Sequence, residues 1–181
     1  QLVKIKYKSK IYKFQTTLIG KIQIKNILMA MLAAEKSGLN FKKVIESLDK
    51  VKSVSGRLQQ VGAIKNKSRV ILDYAHTPDA LNASLQSLKE QFKDKKISIV
   101  FGCGGDRDKP KRSMMGKIAN HYCEKIYLTD DNPRNENPKK IRATINKQID
   151  PSKLFEFPNR SKAIQKAIFD LNIGEVLIVA G

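Results

Sequence analysis

The chain has 181 residues, enough for one domain with a buried core, or for one domain and part of another. Its formal net charge is +18, from 35 Lys and Arg residues against 17 Asp and Glu. Such a balance raises the question of nucleic-acid binding. The basic residues are mostly lysine and are spread along the whole chain, whereas arginine is the preferred residue for bidentate contacts. We therefore expect no nucleic-acid partner.

Other function classes are also disfavoured by composition. The sequence contains no apolar run of bilayer-spanning length and no signal-peptide pattern at its start, so we expect no membrane association and a cytoplasmic location. Cys103 and Cys123 form no CxxC motif and are expected to be buried free thiols. With only two histidines, no dedicated metal site is expected. Because the sequence starts without Met, we expect it to be part of a longer protein.

Residues 1–55 show a mixed pattern. Alternating apolar residues over 1–19 predict a lysine-edged hairpin. Helical spacing begins at Gln23 and stops at Gly38, and Asn40 is placed to cap a second helix. The stretch "VKSVSGR" is predicted to be a loop, with a domain boundary near residue 56.

From residue 56 onward, apolar strand-like runs alternate with helical patterns. Thr77 and Pro78 have the residue types of an N-cap and a first helical position. The predicted strands are "RVILDYA", "ISIVFGCGG", "KIYLTDD", "KLFEFP" and "EVLIVAG", with helices between them. This alternation predicts an α/β fold with a doubly wound, mostly parallel sheet.

The unusual polar stretches of the sequence follow four of these predicted strands. They are "DYAHTPD", "GCGGDRDKPKR", "TDDNPR" and "VAG". In a doubly wound sheet, ligands bind outside the carboxyl ends of the strands. The four stretches are therefore predicted to form one shared rim.

The glycines of "GCGGDRDKPKR" allow close backbone approach and positive φ. Gly102, Gly104 and Gly105 could serve a ligand, or they could simply form a tight βα loop with a solvated charge cluster. No GxxxxGK[ST] phosphate loop occurs in the chain, so binding of a nucleoside triphosphate by this chain alone is not expected.

The stretch "DYAHTP" is compatible with a nucleotide. Asp73 could accept hydrogen bonds from a ribose diol, and His76 stands just before a helix N-terminus, which favours an anion. Alternatively, Asp73 only shapes the loop and His76 packs on it.

The stretch "DNPR" suits a ligand that carries both charges. Arg134 can hold a carboxylate in bidentate fashion, while Asp131 and Asn132 can accept from an ammonium. A capping loop without a ligand remains the alternative on physical grounds.

Taken together, "GR", "DYAHTPDAL", "FGCGGDRDKxKR", "TDDNPR" and a final "VAG", in this order, resemble the Mur ligases. The resemblance implies a Rossmann-like C-terminal ligase domain over residues 56–181, preceded over residues 1–55 by the tail of the central ATPase domain. Within the family, "DNPR" marks the members that add meso-diaminopimelate to UDP-N-acetylmuramoyl-L-Ala-D-Glu in peptidoglycan biosynthesis.

The resemblance also implies two sets of binding residues. The set implied for diaminopimelate is Arg107, Asp131, Asn132, Pro133, Arg134 and Gly181. The set implied for ATP is Asn26, Arg57, Asp73 and His76. The chain departs from the family pattern at Gln23, where an asparagine is common, and it stops before the family's KGHE segment. The Mg²⁺ ligands and the phosphate loop of the family lie in segments upstream of those matched here.

The resemblance implies that the parent protein is an ATP-dependent ligase and a monomer. Its partners would be ATP, Mg²⁺, the UDP-linked dipeptide and diaminopimelate. This chain alone is expected to be inactive. Three alternatives stay open. They are a sister ligase that adds L-lysine, a non-catalytic basic domain that binds nucleic acid or a membrane surface, and a structural fragment without ligand affinity. The intact "DNPR" argues against the first alternative.

Overall fold

A computed structural model describes residues 1–63 and 67–181. Its first part is the predicted hairpin, in which β1 (Leu2–Tyr7) pairs antiparallel with β2 (Lys10–Gln15). Helix α1 (Lys21–Lys36) follows and ends just before Gly38, whose φ of 93° lies in the left-handed region that favours glycine.

The second predicted helix, α2 (Phe41–Glu46), begins as expected after Asn40. The Asn40 side-chain oxygen accepts hydrogen bonds from the backbone N–H groups of Lys42 (3.0 Å) and Lys43 (3.3 Å). A short 3₁₀ turn (Leu48–Lys50) follows. This part of the chain has its own apolar cluster, formed by Phe14, Leu18, Ile27, Met31 and Leu48.

The remainder forms a six-stranded sheet in the order β3-β4-β8-β5-β6-β7. Its strands are β3 (Gln59–Ala63), β4 (Arg69–Asp73), β5 (Ile97–Phe101), β6 (Lys125–Thr129), β7 (Leu154–Phe157) and β8 (Val176–Ala180). The helices between them are α3 (Pro78–Gln91), α4 (Pro110–Tyr122), α5 (Pro138–Asn146) and α6 (Arg160–Phe169). Strands β4 to β8 pair in parallel, which confirms the predicted doubly wound, mostly parallel sheet.

Helices cover the sheet on both faces. One face packs on α3, α4 and α5 in a large apolar cluster, and the other packs on α6 around Tyr127 and Val100. Strands β5 and β8 are buried along their whole length, as expected for central parallel strands. Thr77 caps α3 as predicted, since its hydroxyl accepts from the Ala80 N–H at 3.3 Å.

The edge strand β3 was not predicted. It pairs antiparallel with β4, and its register shifts between Gln60 and Gly62 at a bulge. It has two glutamines, a glycine and mainly exposed side chains, so it lacks both the apolar run and the regular alternation that indicate a strand.

Both cysteines are buried free thiols, as predicted. Among the helices in residues 1–63 and 67–181, none combines the length and apolar character needed to cross a bilayer. In the same residues no three His, Cys, Asp or Glu side chains are grouped so that they could hold a metal ion.

Candidate functional site

The predicted rim is present. Strands β4, β8, β5 and β6 are parallel neighbours in this order, so their carboxyl ends meet at one edge of the sheet. The stretches that follow them begin at Tyr74, Gly181, Gly102 and Asp130. Tyr74 and Gly181, 107 positions apart in sequence, therefore contribute to one surface.

The loops after β5 and β6 are fastened to each other by hydrogen bonds. The Gly105 N–H donates to the Asn132 carbonyl (2.8 Å), and the Arg134 Nη1 donates to the Gly105 carbonyl (2.8 Å). The Asp106 carboxylate accepts from the backbone N–H (3.1 Å) and the side-chain amide (2.9 Å) of Asn135. The two loops thus form one paired unit, here called the β5–β6 loop pair (residues 102–108 and 130–136).

The glycines of the loop pair are required by close packing. A β-carbon at Gly102 would overlap the Thr129 carbonyl oxygen, and one at Gly105 would overlap the Pro133 carbonyl oxygen. The expected close backbone approach is confirmed. The positive φ that was also expected to be permitted here is not observed at Gly102, Gly104 or Gly105.

We expect Gly105→Ala to destabilise the protein by about 2 kcal/mol, because the added methyl group forces the two loops apart. Gly62→Ala is the matched control, since a β-carbon there meets nothing within 4 Å and Gly62 has no positive φ. Urea unfolding of both variants gives the comparison. Equal stability of the two variants would show that the loops tolerate separation.

A buried ion pair lies beneath the loop pair. The Arg112 guanidinium, on α4, donates to both carboxylate oxygens of Glu136, at 3.0 and 2.8 Å, and to the Gly104 carbonyl at 3.2 Å. The side chains of Arg112 and Glu136 are 4% and 19% exposed. The Arg112 guanidinium, together with the Asp106 N–H that donates at 2.7 Å, lowers the pKa of the Glu136 carboxyl to about 2.

This pKa has a consequence for acid stability. Because the pKa of Glu136 is lower in the folded state than the ordinary value of 4.5 for a glutamate, the ion pair stabilises the fold fully above about pH 5, and this stabilisation is lost as pH falls from there towards 2. We expect the difference in melting temperature between wild type and Glu136→Gln to be largest near pH 6 and to shrink steadily down to pH 3. A difference that is constant over this range would contradict the assignment.

Of the two aspartates in "TDDNPR", only one is committed to the fold. Asp130 forms an ion pair with Arg142, which also donates to Glu156 at 2.7 Å. Asp131 is exposed, and within the described residues its carboxylate accepts no hydrogen bond. Asp131 is therefore a carboxylate that the rim presents without a hydrogen-bond donor from the described residues.

The two predicted arginines differ in their surroundings. Arg134 is exposed, has a φ of 49° and uses its Nη1 to hold the Gly105 carbonyl, while its Nε and Nη2 form no hydrogen bond within the described residues. Arg107 is exposed and, in the part of the chain that the structure describes, its side chain makes no hydrogen bond or ion pair. Both guanidinium groups thus retain donors at the rim.

Asn132 and Pro133 shape the loop more than they present free polar groups. The Asn132 side-chain oxygen accepts from the Arg134 N–H at 3.2 Å, and the Pro133 carbonyl accepts from the Glu136 N–H at 3.0 Å. The amide NH₂ of Asn132 is the part of this side chain that remains for a ligand.

Gly181 follows β8 and lies between the ends of β4 and β5. Its N–H donates to the Asp73 carbonyl at 3.1 Å, and its φ of 91° is one that glycine adopts readily. Its carbonyl accepts from the Arg160 Nη2 at 3.0 Å. Arg160 was not predicted as a site residue.

The residues predicted for a nucleotide form a chain of contacts between α1 and the loop after β4. Asn26 donates its side-chain amide to Gln23 (3.3 Å), and Gln23 in turn donates to the Arg57 carbonyl (3.4 Å). The Arg57 guanidinium lies 5.0 Å from the Tyr74 ring centroid, and the ring of His76 lies edge-on to the same tyrosine at 5.0 Å. Gln23, the position that departs from the family pattern, is the link in this chain.

Asp73 has a clear structural role. Its carboxylate accepts hydrogen bonds from the Leu58 N–H (2.7 Å), the Ala75 N–H (2.9 Å) and the Ser84 hydroxyl (3.1 Å), and the residue is 7% exposed. Asp73 therefore shapes the loop in this structure, and about one of the four lone-pair sites of a carboxylate is left for a ligand.

The sequence of the chain is similar to those of known proteins. Residues 56–181 match the family described as Mur ligase, glutamate ligase domain. The chain is 43% identical over 182 residues to the UDP-N-acetylmuramoyl-L-alanyl-D-glutamate--2,6-diaminopimelate ligase of Rickettsia montanensis, covering 100% of this chain and 37% of that protein. The ligase of the same name from Chelativorans sp. (strain BNC1) is 39% identical over 181 residues, with the same coverage of both chains.

Solved structures agree with these relatives. A UDP-N-acetylmuramoyl-L-alanyl-D-glutamate--2,6-diaminopimelate ligase superposes with a TM-score of 0.71 at 31% identity, over 99% of this chain and 37% of that chain. The MurF ligase from Thermotoga maritima in complex with ADP gives a TM-score of 0.73 at 18% identity, over 99% and 39% of the two chains, which supports the fold alone. The chain thus spans less than two fifths of the length of these relatives.

Proposed function

The chain belongs to the Mur ligase family, and from this premise we propose that it forms the amino-acid-binding portion of an ATP-dependent ligase. The ligase joins meso-diaminopimelate to UDP-N-acetylmuramoyl-L-alanyl-D-glutamate. In this proposal residues 56–181 are the C-terminal domain and residues 1–55 are the tail of the ATP-binding domain. The protein works as a monomer in the cytoplasm.

The observation that carries the proposal is the charge arrangement of the β5–β6 loop pair. Arg107 and Arg134 retain free guanidinium donors, and Asp131 is a carboxylate with no hydrogen-bond donor among the described residues. A rim that offers both signs of charge within one fastened loop unit matches a ligand that ends in an ammonium and a carboxylate.

We assign the roles accordingly. Arg134 and Arg107 bind the distal carboxylate of diaminopimelate, and Asp131 accepts from the distal ammonium. Asn132, Pro133 and Gly181 line this end of the ligand. L-Lysine lacks the distal carboxylate and cannot form the charge-assisted contact with the two guanidinium groups, so discrimination of about 10²-fold or more is expected from this contact.

The nucleotide assignment rests on the cluster around Tyr74. The Arg57 guanidinium, the exposed Tyr74 ring and the His76 imidazole lie at one surface. Because such groups suit the phosphate and the base of a nucleotide, Arg57 and His76 are proposed to line the ATP site, together with Asn26. Asp73 is proposed to use its remaining acceptor site for the ribose. ATP with Mg²⁺ supplies the activation of the dipeptide carboxylate as an acyl phosphate.

What this chain contributes to the reaction is orientation. By holding the distal end of diaminopimelate at the strand ends, the rim directs the amine at the other end towards the activated carboxylate. Fixing two reactants in this way removes much of the entropic barrier of a bimolecular step. No proton transfer or bond cleavage is assigned to the residues described here.

The proposal is tested by the full-length ligase that includes this chain, with ADP formation as the signal. We expect ADP release only when ATP, UDP-N-acetylmuramoyl-L-alanyl-D-glutamate and meso-diaminopimelate are all present. ADP release that does not depend on any amino acid, or none with either diaminopimelate or lysine, would overturn the proposal.

A further inference from the structure

Arg160 is a partly buried cation at the rim that the proposed function does not use. It is the first residue of α6, and it follows the loop after β7. Its Nη2 donates to the carbonyls of both Ala180 and Gly181, each at 3.0 Å. Its side chain therefore holds the end of β8 from a different element of the fold.

Arg160 also lies close to the end of β6. The segment just before it is attached there, since the Pro158 carbonyl accepts from the Asp130 N–H (3.3 Å) and from the Thr129 hydroxyl (3.4 Å). Burial lowers the pKa of the Arg160 guanidinium, and the charge of Asp131 acts in the opposite direction. Arg160 thus holds the end of β8 that carries Gly181, and the segment just before it is attached to the end of β6, next to Asp131.

The guanidinium is only partly used by the protein. Its Nη1 is buried and has no hydrogen-bond partner among the described residues. A buried unpaired donor is costly and uncommon, and among the described residues the only other one on a side chain is the Nε of Arg112, whose guanidinium is otherwise held by Glu136. What distinguishes Arg160 is its position, since its other nitrogen holds the Ala180 and Gly181 carbonyls at the rim.

We infer that Arg160 is a positioning residue of the amino-acid subsite, which fixes the Gly181 backbone relative to Asp131 so that both can contact one ligand. This inference rests on the proposed function, because it takes Asp131 and Gly181 as ligand contacts. Loss of the guanidinium leaves the loop pair fastened, since the contacts of Arg134 and Arg112 do not involve Arg160.

The test is steady-state kinetics of the full-length ligase with Arg160→Gln, Arg160→Lys and Arg69→Gln. The last is the matched control for loss of charge, because Arg69 lies at the opposite end of β4, where it donates to Gln60 at 2.7 Å. We expect Arg160→Gln to raise KM for the amino acid about 10-fold or more with KM for ATP changed less than about 2-fold. Arg160→Lys keeps the charge and an N–H donor group but loses the planar fork of the guanidinium, and should recover part of the loss.

An unchanged KM for the amino acid, with only a lower melting temperature, would overturn the inference and leave Arg160 a structural residue. If the wild type joins lysine and not diaminopimelate, the proposed specificity fails, and KM for lysine tests Arg160 in the same way. If the wild type joins neither, hydrogen exchange of the Gly181 amide decides, since that amide donates to Asp73. Faster exchange in Arg160→Gln supports positioning of the strand end, and unchanged exchange contradicts it.

Discussion

Replacing Arg134 with alanine is expected to lower kcat/KM for meso-diaminopimelate about 100-fold or more, while KM for ATP stays within about 2-fold of wild type. The truncation removes the donors proposed for the distal carboxylate and the contact to the Gly105 carbonyl at 2.8 Å. Steady-state kinetics of the full-length ligase, with each substrate varied in turn, gives the two values.

Two further variants separate the ligand contact from the backbone. Arg134 has a φ of 49°, which strains any residue with a side chain, so Arg134→Lys keeps this strain and the charge but loses the planar fork. We expect Arg134→Lys to lower kcat/KM for meso-diaminopimelate at least about 10-fold. Lys139→Ala, an exposed charge on α5, is the control for loss of net charge. An Arg134→Ala enzyme that kept its activity with diaminopimelate would exclude Arg134 as the carboxylate clamp.

Replacing Arg112 with methionine is expected to lower the free energy of unfolding by about 3 kcal/mol, at the lower end of the range for breaking a buried ion pair. The Arg112 side chain is 4% exposed, and its removal leaves the Glu136 carboxylate and the Gly104 carbonyl without their cation. Urea unfolding at pH 7 measures this decrease in the free energy of unfolding. An m-value equal to that of wild type checks that unfolding remains two-state.

The double variant Arg112→Met with Glu136→Gln tests the reason for that loss. Because the unpaired charge is then absent, the double variant should be more stable than Arg112→Met alone. If instead the destabilising effects of the two substitutions are fully additive, the Arg112–Glu136 ion pair is not the contact that holds the loop pair on α4.

Much of the fold follows from local patterns. Strand β8 is an uninterrupted apolar run and β5 is interrupted only by Ser98, and caps such as Asn40 and Thr77 mark where helices begin. The parallel order of the strands then places their ends at one edge. Strand β3 could not be predicted because its pairing with β4, and not its own composition, holds it in place.

The site was predictable only as far as its exposed side chains. Arg107, Asp131 and Arg134 stand in loops with a recognisable order of residue types, and the structure brings them to the same loop pair. The residues that support these side chains were not predictable. Arg160 binds backbone carbonyls 20 and 21 residues away, and Arg112 pairs with Glu136 24 residues away. Such contacts depend on tertiary packing, so no spacing in the sequence indicates them.

We propose above all that the rim selects an amino acid with a carboxylate at its far end. The most direct measurement is a competition, in which the full-length ligase receives equal concentrations of meso-diaminopimelate and L-lysine with ATP and UDP-N-acetylmuramoyl-L-alanyl-D-glutamate. The two products are then quantified by mass spectrometry. We predict that the diaminopimelate product exceeds the lysine product about 100-fold or more. Comparable amounts, or an excess of the lysine product, would contradict the roles given to Arg107 and Arg134.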